Sequence, residues 1–157
     1  MSKENQSTYE ESVVYIKEDS FICCEDRPCR VLTIANSFVF GKHGIPMFRF
    51  TIQDLFNDEI NQMLVRYQSN VTIPIVSFKE YQMIGIKVDT VELMDLEDYE
   101  TKEMIINDSQ KIVLQDAFDR SFQNDTNLIV KIISAMNQER IVHFKEENQN
   151  STIKIKF

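Results

Sequence analysis

The sequence predicts a mainly β protein with one helix in its second half. Isoleucine and valine occur 19 and 12 times in the 157 residues, whereas leucine occurs 7 times and alanine 3 times. β-Branched side chains fit a pleated sheet and lose rotamer freedom in helices. Short apolar runs also recur from Val13 onward, separated by turn-like interruptions. This pattern is typical of a chain with many short strands.

The apolar runs fall into two series, which meet at a boundary near Val76. The first series predicts strands at residues 21–24, 30–34, 47–52, 62–67 and 70–74. The second predicts strands at residues 81–88, 90–96, 100–106, 128–136, 141–145 and 152–156. Residues 1–12 are polar and acidic, so we expect a flexible tail there. The expected domains are residues 13–76 and 77–157.

One segment has helical rather than strand spacing. Ile112, Val113, Phe118 and Phe122 recur near every third or fourth position in residues 110–122. Asp108 or Ser109 could cap its start, because a side-chain oxygen there can accept a free backbone N–H. The helix would stand between the third and fourth strands of the second series. That order predicts an OB-fold.

Composition limits the classes of function. The net charge of −8 argues against non-specific wrapping of duplex nucleic acid, although a local basic patch could still bind RNA. No apolar run approaches the roughly 18 residues of a membrane-spanning helix, and no signal segment is present, so we expect a cytoplasmic protein.

Few residues have the spacing of a catalytic or metal site. The cysteines lack a CxxC spacing and have no histidine nearby, so we expect buried, unreactive thiols and no metal. His143 alternates with apolar neighbours, so we expect it to face solvent without a role. The run at residues 95–98 resembles a solvated turn. No carboxylate pair or Ser-His-Asp order points to an enzyme. The cysteines are Cys23, Cys24 and Cys29.

Two of the three glycines in the chain flank the same pair of residues. Only Gly41, Gly44 and Gly85 occur in the chain, and the first two bracket Lys42 and His43. Glycine tolerates positive φ, so Gly-Lys-His-Gly predicts a tight exposed loop at the tip of a hairpin. An ordinary turn with a solvated lysine gives the same spacing. His43 could orient the loop or contact RNA, or it could face solvent without a role.

The hairpin is also poor in acidic residues. Residues 27–53 contain no Asp or Glu, although these make up 25 of the 157 residues. A positive patch attracts phosphate-rich partners, while acidic surroundings limit other contacts. Chance and strand burial could produce the same absence. The basic residues of this stretch include three candidates for phosphate contact: Arg27, Arg30 and Arg49.

Five short motifs follow one another along the chain. They are Arg27-Pro28-Cys29-Arg30, Gly41-Lys42-His43-Gly44, Asp54-Leu55-Phe56, Tyr81-Gln82-Met83-Ile84-Gly85-Ile86 and Ser134-Ala135-Met136. In this order they resemble the eukaryotic and archaeal translation initiation factor 5A family, over about residues 20–145, which is most of the chain. Gly-Lys-His-Gly alone would be weak support, but five ordered matches are specific.

The resemblance implies an SH3-like β-barrel domain followed by an OB-fold domain. It also implies that Lys42 becomes hypusine, with deoxyhypusine synthase transferring the aminobutyl group of spermidine to the lysine amine. Such a factor occupies the E-site region of the ribosome, contacts rRNA and extends this side chain toward the acceptor end of the P-site tRNA. It promotes peptide-bond formation at stalled sites, such as consecutive prolines, and assists termination.

The chain departs from the family around the loop. Residues 37–41 stand where the family usually reads Ser-Lys-Thr-Gly, and Ile45-Pro46-Met47 replaces His-Ala-Lys. Two lysines that flank the modified lysine in the family are therefore missing. Two other hypotheses remain: a diverged paralogue with unmodified Lys42, and an OB-fold protein that binds single-stranded RNA away from the ribosome. The role of residues 146–157 has no sequence signal.

Overall fold

A computed structural model describes residues 6–39 and 44–148. Their elements confirm a mainly β fold with one helix. In chain order they are β1 (Thr8–Ser12), a 3-10 turn (Val13–Tyr15), β2 (Phe21–Cys24), β3 (Arg27–Val39), β4 (Ile45–Asp54), β5 (Ile60–Arg66), β6 (Asn70–Pro74), β7 (Ser77–Ile86), β8 (Thr90–Asp95), β9 (Thr101–Ile105), α1 (Asp108–Gln123), β10 (Thr126–Ala135) and β11 (Gln138–Asn148).

The chain divides into two compact units. Unit 1 comprises Met1–Ser77 with Ser134–Glu139, and unit 2 comprises Phe78–Ile133 with Arg140–Phe157. In unit 1, β2, β3, β4 and β5 form an antiparallel sheet in that order, and β1 pairs with β6. Its core contains Phe50, Ile22, Ile52, Val31 and Val13, all 2% exposed or less.

In unit 2, five strands form one sheet in the order β11-β10-β7-β8-β9. The helix α1 stands between β9 and β10 in the chain, as the sequence predicted. It buries Leu114 and Ala117 among sheet residues such as Met83, Leu93 and Val130. The order of strands and helix is that of an OB-fold.

The predicted flexible tail is wrong for its last five residues. Thr8–Ser12 forms β1, which pairs with β6 in a register that sets Thr8 opposite Pro74. The Thr72 hydroxyl also donates to Glu10 Oε1 at 2.8 Å. The strand is held by backbone pairing with only partial burial, so its sequence shows no apolar alternation. The predicted strand at residues 152–156 lies outside the described residues.

Two local predictions need correction. The helix begins after Asn107, whose side chain accepts from Gln110 N–H at 2.8 Å, so neither Asp108 nor Ser109 is the cap. The predicted solvated turn at residues 95–98 begins with a buried carboxylate, since Asp95 is 5% exposed and pairs with Lys79. The cap lies one residue earlier than predicted because Asn107 has the extended backbone of an N-cap residue, and Asp95 is buried because its carboxylate accepts a backbone N–H and pairs with Lys79.

Candidate functional site

The hairpin of β3 and β4 carries the predicted loop. Its pairing runs from Cys29 opposite Asp54 to Val39 opposite Ile45, with one bulge between Val31 and Thr33. Residues 40–44 therefore connect the last pair, and Lys42 is the third of these five residues in the sequence. Gly41, Lys42 and His43 lie outside the described residues, while Gly44 is described and half-buried.

A third strand supports the outer part of this hairpin. β5 pairs with β4 as far as Arg66 opposite Met47, so only two further β3–β4 pairs extend beyond it. The Phe48 ring stacks on Tyr67, with centroids 4.2 Å apart and planes at 26°, and lies 6.0 Å from the Phe50 ring. These contacts fix the strands close to the loop, so the loop begins from a packed support.

Arg27 lies at the opposite end of the hairpin. Its guanidinium pairs with the buried Asp54 through Nε to Oδ2, and its second donor reaches Oδ1 at 3.1 Å. Arg27 precedes Val39 by twelve residues, or about 40 Å at roughly 3.3 Å per residue. Arg27 therefore closes the base of the hairpin, away from residues 40–44.

The electrostatics of this base favour the charged pair. Burial alone would raise the pKa of Asp54, but Arg27 and the backbone N–H groups of Phe56 and Asn57 hydrogen-bond to the carboxylate. The balance holds the pKa of Asp54 below its ordinary value, and the pKa of Arg27 is raised by the same contact. The pair is a structural clamp.

The other two predicted cations differ in position. Arg30 lies opposite Gln53 near the base, and its guanidinium stands 5.8 Å from the centroid of the Phe21 ring. Arg49 lies in the outer half, opposite Ala35 on β3 and Leu64 on β5, and is exposed. Of the three arginines, only Arg49 is therefore close to the loop.

Sequence reasoning missed Arg66, which is exposed and lies opposite Met47, two residues from the start of β4. A signal existed. Residues 60–79 form a second stretch without Asp or Glu, separated from the first only by the turn between β4 and β5. Antiparallel pairing of β4 with β5 brings the two acid-free stretches side by side.

The acidic residues in the turns of this sheet lie at its base, where Arg27 and Arg30 also stand. The turn between β2 and β3 contains Glu25 and Asp26, and the turn between β4 and β5 contains Asp58 and Glu59. Both turns lie at the base. Toward the loop, the strands carry arginine and neutral residues alone. The outer parts of β4 and β5 therefore carry Arg49 and Arg66 with no carboxylate of their own, while the Glu18 carboxylate accepts from Ile34 N–H on β3.

The three cysteines are free, as expected of reduced thiols. Burial, followed by the nearby carboxylates, raises the pKa of Cys23 to about 11, and burial is also the main cause that raises the pKa of Cys29 to about 12. Cys24 is only half-buried, and its pKa is raised by burial and by Glu25. A thiol that stays protonated is a poor nucleophile and metal ligand.

The OB-fold unit has a basic and aromatic cluster with little accessible ring surface. The ammonium groups of Lys102 and Lys79 stand 4.7 and 5.5 Å from the centroid of Tyr81. Tyr81 itself is 8% exposed, and Lys79 pairs with Asp95. Base stacking requires an open ring face. This geometry gives little support to an OB-fold protein that binds single strands through Tyr81.

Comparisons with known proteins agree with this architecture. The family model described as "Eukaryotic elongation factor 5A hypusine, DNA-binding OB fold" matches residues 75–145. Translation initiation factor 5A-3 of Solanum tuberosum is 30% identical over 139 residues, which cover 88% of this chain and 86% of that protein. The chain belongs to the translation initiation factor 5A family. Factor 5A-1 of Saccharomyces cerevisiae is 28% identical over 142 residues, 90% of this chain and 88% of its own.

Solved structures of factor 5A relatives have the same fold. A family member from Naegleria fowleri superposes with a TM-score of 0.73 at 26% identity, over 89% of this chain and 99% of that one. The factor 5A of Methanococcus jannaschii gives a TM-score of 0.64 at 22% identity, over 88% and 98% of the two chains, which supports the fold alone. The predicted fold class is confirmed.

Membership of the factor 5A family supports a role in translation and an association with ribosomes. The relatives are named as translation factors. No helix in the described parts of this chain has both the length and the apolar character needed to cross a membrane.

Proposed function

We propose that this factor 5A binds the E-site region of the ribosome and extends a hypusine at Lys42 toward the acceptor end of the P-site tRNA. The observation that carries the proposal is the β3–β4 hairpin. It pairs without interruption from Thr33 to Val39, is braced by β5, and leaves Lys42 central in a five-residue connection. The domains would be an SH3-like domain at residues 13–76 and an OB-fold domain at residues 77–157.

The modification supplies reach and a second amine. Deoxyhypusine synthase would transfer the aminobutyl group of spermidine to Nζ of Lys42, breaking its bond to the secondary nitrogen of spermidine and releasing 1,3-diaminopropane, and hydroxylation would be a second step. Gly41 and Gly44 would allow the connection to turn tightly without crowding the synthase or the RNA, and His43 would orient the loop. The extended side chain remains cationic, so it can lie among phosphates and hydroxyl groups.

The factor would act by positioning rather than by reacting. Holding reacting groups in a productive geometry is worth about 7–11 kcal/mol in ideal cases. A fixed cation beside the tRNA end would limit the conformations of a poorly reactive peptidyl-tRNA. Slow acceptors such as proline would gain most, because their reaction depends most on that geometry. Arg27, Arg30 and Arg49 were the initial candidates for RNA contact, and the structure favours Arg49 by its place near the loop.

Reconstituted translation of a message with three consecutive prolines tests this function. The modified protein should speed formation of the tripeptide relative to unmodified protein and to Lys42→Arg, which keeps the charge and removes the extension site. A message without consecutive prolines is the matched control and should respond little. Equal rates with modified, unmodified and Lys42→Arg protein would refute the proposal.

One departure from the family favours a second candidate, a paralogue that acts without hypusine. The two lysines that flank the modified position in the family are absent, and the last described pairs of the hairpin involve Phe38, Val39, Ile45 and Pro46 instead. In that case unmodified protein and the modified form would bind ribosomes equally well, and neither would affect the proline message.

A further inference from the structure

A groove in unit 2 follows the edge of its last strand. β11 stands at one end of the five-stranded sheet, so among residues 6–39 and 44–148 it has a neighbouring strand on one side only. The groove has a volume of about 350 Å³ and lies between β11, at residues 140–144, and the first half of α1. Successive side chains of a strand point to opposite faces. Five consecutive lining residues therefore place the groove along the edge of β11 rather than on one face of the sheet.

The lining of the groove is largely apolar and partly open to solvent. Leu114 and Ile141 are 2% and 7% exposed, whereas Val113 and Val142 are 51% and 45% exposed. Phe144 is half-buried against the core of unit 2. An apolar strand edge that is open to solvent pairs readily with a further strand, and proteins commonly cover such edges. The groove therefore suits an extended segment with apolar side chains.

The chain leaves β11 beyond the groove, at the other end of α1. Near the start of the helix, Gln110 Nε2 donates to Ile141 O at 3.4 Å. Just after the end of the helix, Asn124 Nδ2 donates to Glu146 Oε2 at 3.2 Å. β11 thus runs in the same direction as α1, and Asn148 lies past the helix end. A segment that enters the groove from there must turn back and run antiparallel to β11.

Residues 149–157 lie outside the described residues, but their sequence has the length and pattern for this return. The first three are polar and include Asn150 and Ser151, which are residue types common in turns. The next part alternates apolar and basic residues, as expected of a strand with one buried face. From residue 151, six residues extend about 20 Å at roughly 3.3 Å per residue, the same length as β11 from Asn148 back to Val142. The alternating residues are Ile153, Lys154, Ile155, Lys156 and Phe157.

The charges agree with an antiparallel return. After a turn of two to four residues, Lys154 would stand opposite one of residues 145–147, which include Glu146 and Glu147. Opposite charges on adjacent strands stabilise their pairing. The same return would bring the last apolar residues of the segment to the level of the groove.

We propose that residues 152–157 dock in this groove as a strand added to the outer edge of β11, with Ile155 and Phe157 packed against Val113. The occupant is the protein's own segment, because its direct attachment to β11 holds it at an effective concentration of about millimolar. The added strand covers the apolar edge and opposes edge-to-edge association of two copies. The matched family region ends at residue 145, so this strand is an addition of this chain to the family fold.

Trypsin cleavage after Lys154 and Lys156 tests the docking. In the full chain these bonds should be cleaved at least about tenfold more slowly than in a free peptide of residues 145–157, because proteolysis follows the population of undocked segment. Val113→Asp places a charge in the groove at an exposed helical position and should restore rapid cleavage without unfolding the protein. Ile112→Asp is the matched control, since Ile112 is 73% exposed and does not line the groove, and it should keep the protection.

Hydrogen exchange of β11 is the second readout. Deletion of residues 151–157 should speed the exchange of the outward-facing amides of residues 142–147 by at least about tenfold, because these amides lose their partners. The double variant Ile155→Ser, Phe157→Ser should have the same effect. The double variant Lys154→Ser, Lys156→Ser keeps the apolar contacts and should retain most of the protection.

Three results would overturn the proposal. The first is equal trypsin cleavage in the full chain and the free peptide. The second is release of the segment by Ile112→Asp as readily as by Val113→Asp, which would indicate a general effect on the helix. The third is protection that increases with protein concentration, which would place the segment on a second copy. None of these outcomes depends on the modification of Lys42.

Discussion

At the scale of single residues, Asp54 is the group that the base of the hairpin most depends on. Its carboxylate is 5% exposed and joins Arg27 on β3 to the turn that follows β4. Asp54→Ala should lower the free energy of unfolding by about 2–3 kcal/mol, because two backbone N–H groups and a guanidinium lose a charged acceptor. Urea unfolding at neutral pH measures this loss.

The same group predicts a pH dependence. The pKa of Asp54 is lowered in the folded protein, so its stabilising contribution is full above the unfolded pKa of about 3.9 and is lost as pH falls through the folded value. The gap between wild type and Asp54→Ala should therefore narrow below pH of about 4. Asp26→Asn, in an exposed turn, serves as a control and should stay within about 0.5 kcal/mol of wild type. A gap that is constant down to acidic pH would contradict the assignment.

Asp95 repeats this arrangement in unit 2. Its side chain pairs with Lys79 and accepts from Glu97 N–H at 2.8 Å, and these two contacts, the first above all, hold the pKa of Asp95 below its ordinary value. Both turns read Asp-Leu-x-x-x-Glu, and in both the residue before Glu has positive φ, 63° in Asp58 and 61° in Tyr99. The repeated motif can be seen in the sequence. Its role in burying a carboxylate beside a cation cannot, because the cations come from other strands.

At the scale of elements, the outer hairpin depends on aromatic packing. Phe48 is half-buried and stacks on Tyr67, so Phe48→Ala should lower the free energy of unfolding by about 2 kcal/mol, less than for a fully buried phenylalanine. In a double-mutant cycle with Tyr67→Ala, the coupling energy should be about 0.5–1.5 kcal/mol. Phe48→Leu keeps apolar contact and should lose less. Strictly additive effects of the two alanines would show that the rings do not support each other.

The start of α1 gives a second test at this scale. Asn107→Ala should lower the free energy of unfolding by about 1 kcal/mol, because the N–H of Gln110 loses its acceptor. Asn107→Asp should keep this bond and add a favourable charge at the helix start. Ser109→Ala is the matched control, since Ser109 only donates to Asn107 at 3.0 Å. A larger loss for Ser109→Ala than for Asn107→Ala would contradict the observed cap.

Strand positions were largely predictable because burial imposes a short-range pattern. The predicted strands 21–24 and 70–74 match β2 and β6 to the residue, and α1 extends only slightly beyond residues 110–122. What escaped prediction depends on pairing between distant segments. The strand β1 forms because residues 8–12 pair with β6. Arg66 lies close to Arg49 because of the register in which β5 pairs with β4. Neither partner can be read from the local sequence.

At the scale of the whole molecule, the charge is unevenly distributed along the chain. The net charge of −8 would repel RNA, yet the outer face of β3, β4 and β5 carries arginines without acids. Under the proposed function, long-range repulsion elsewhere would discourage other orientations, and the protein would approach RNA by this sheet. The candidate loop itself was identified by sequence alone, since Gly41, Lys42 and His43 lie outside the described residues.

Peptide mass spectrometry of the protein purified from its own cells tests the central claim most directly. We predict that the peptide with Lys42 carries the mass of an aminobutyl group, with or without one added oxygen, and that fragmentation assigns it to Lys42 alone. Growth with an inhibitor of spermidine synthesis should reduce the modified fraction. A fully unmodified Lys42, or the added mass on another lysine, would contradict the account.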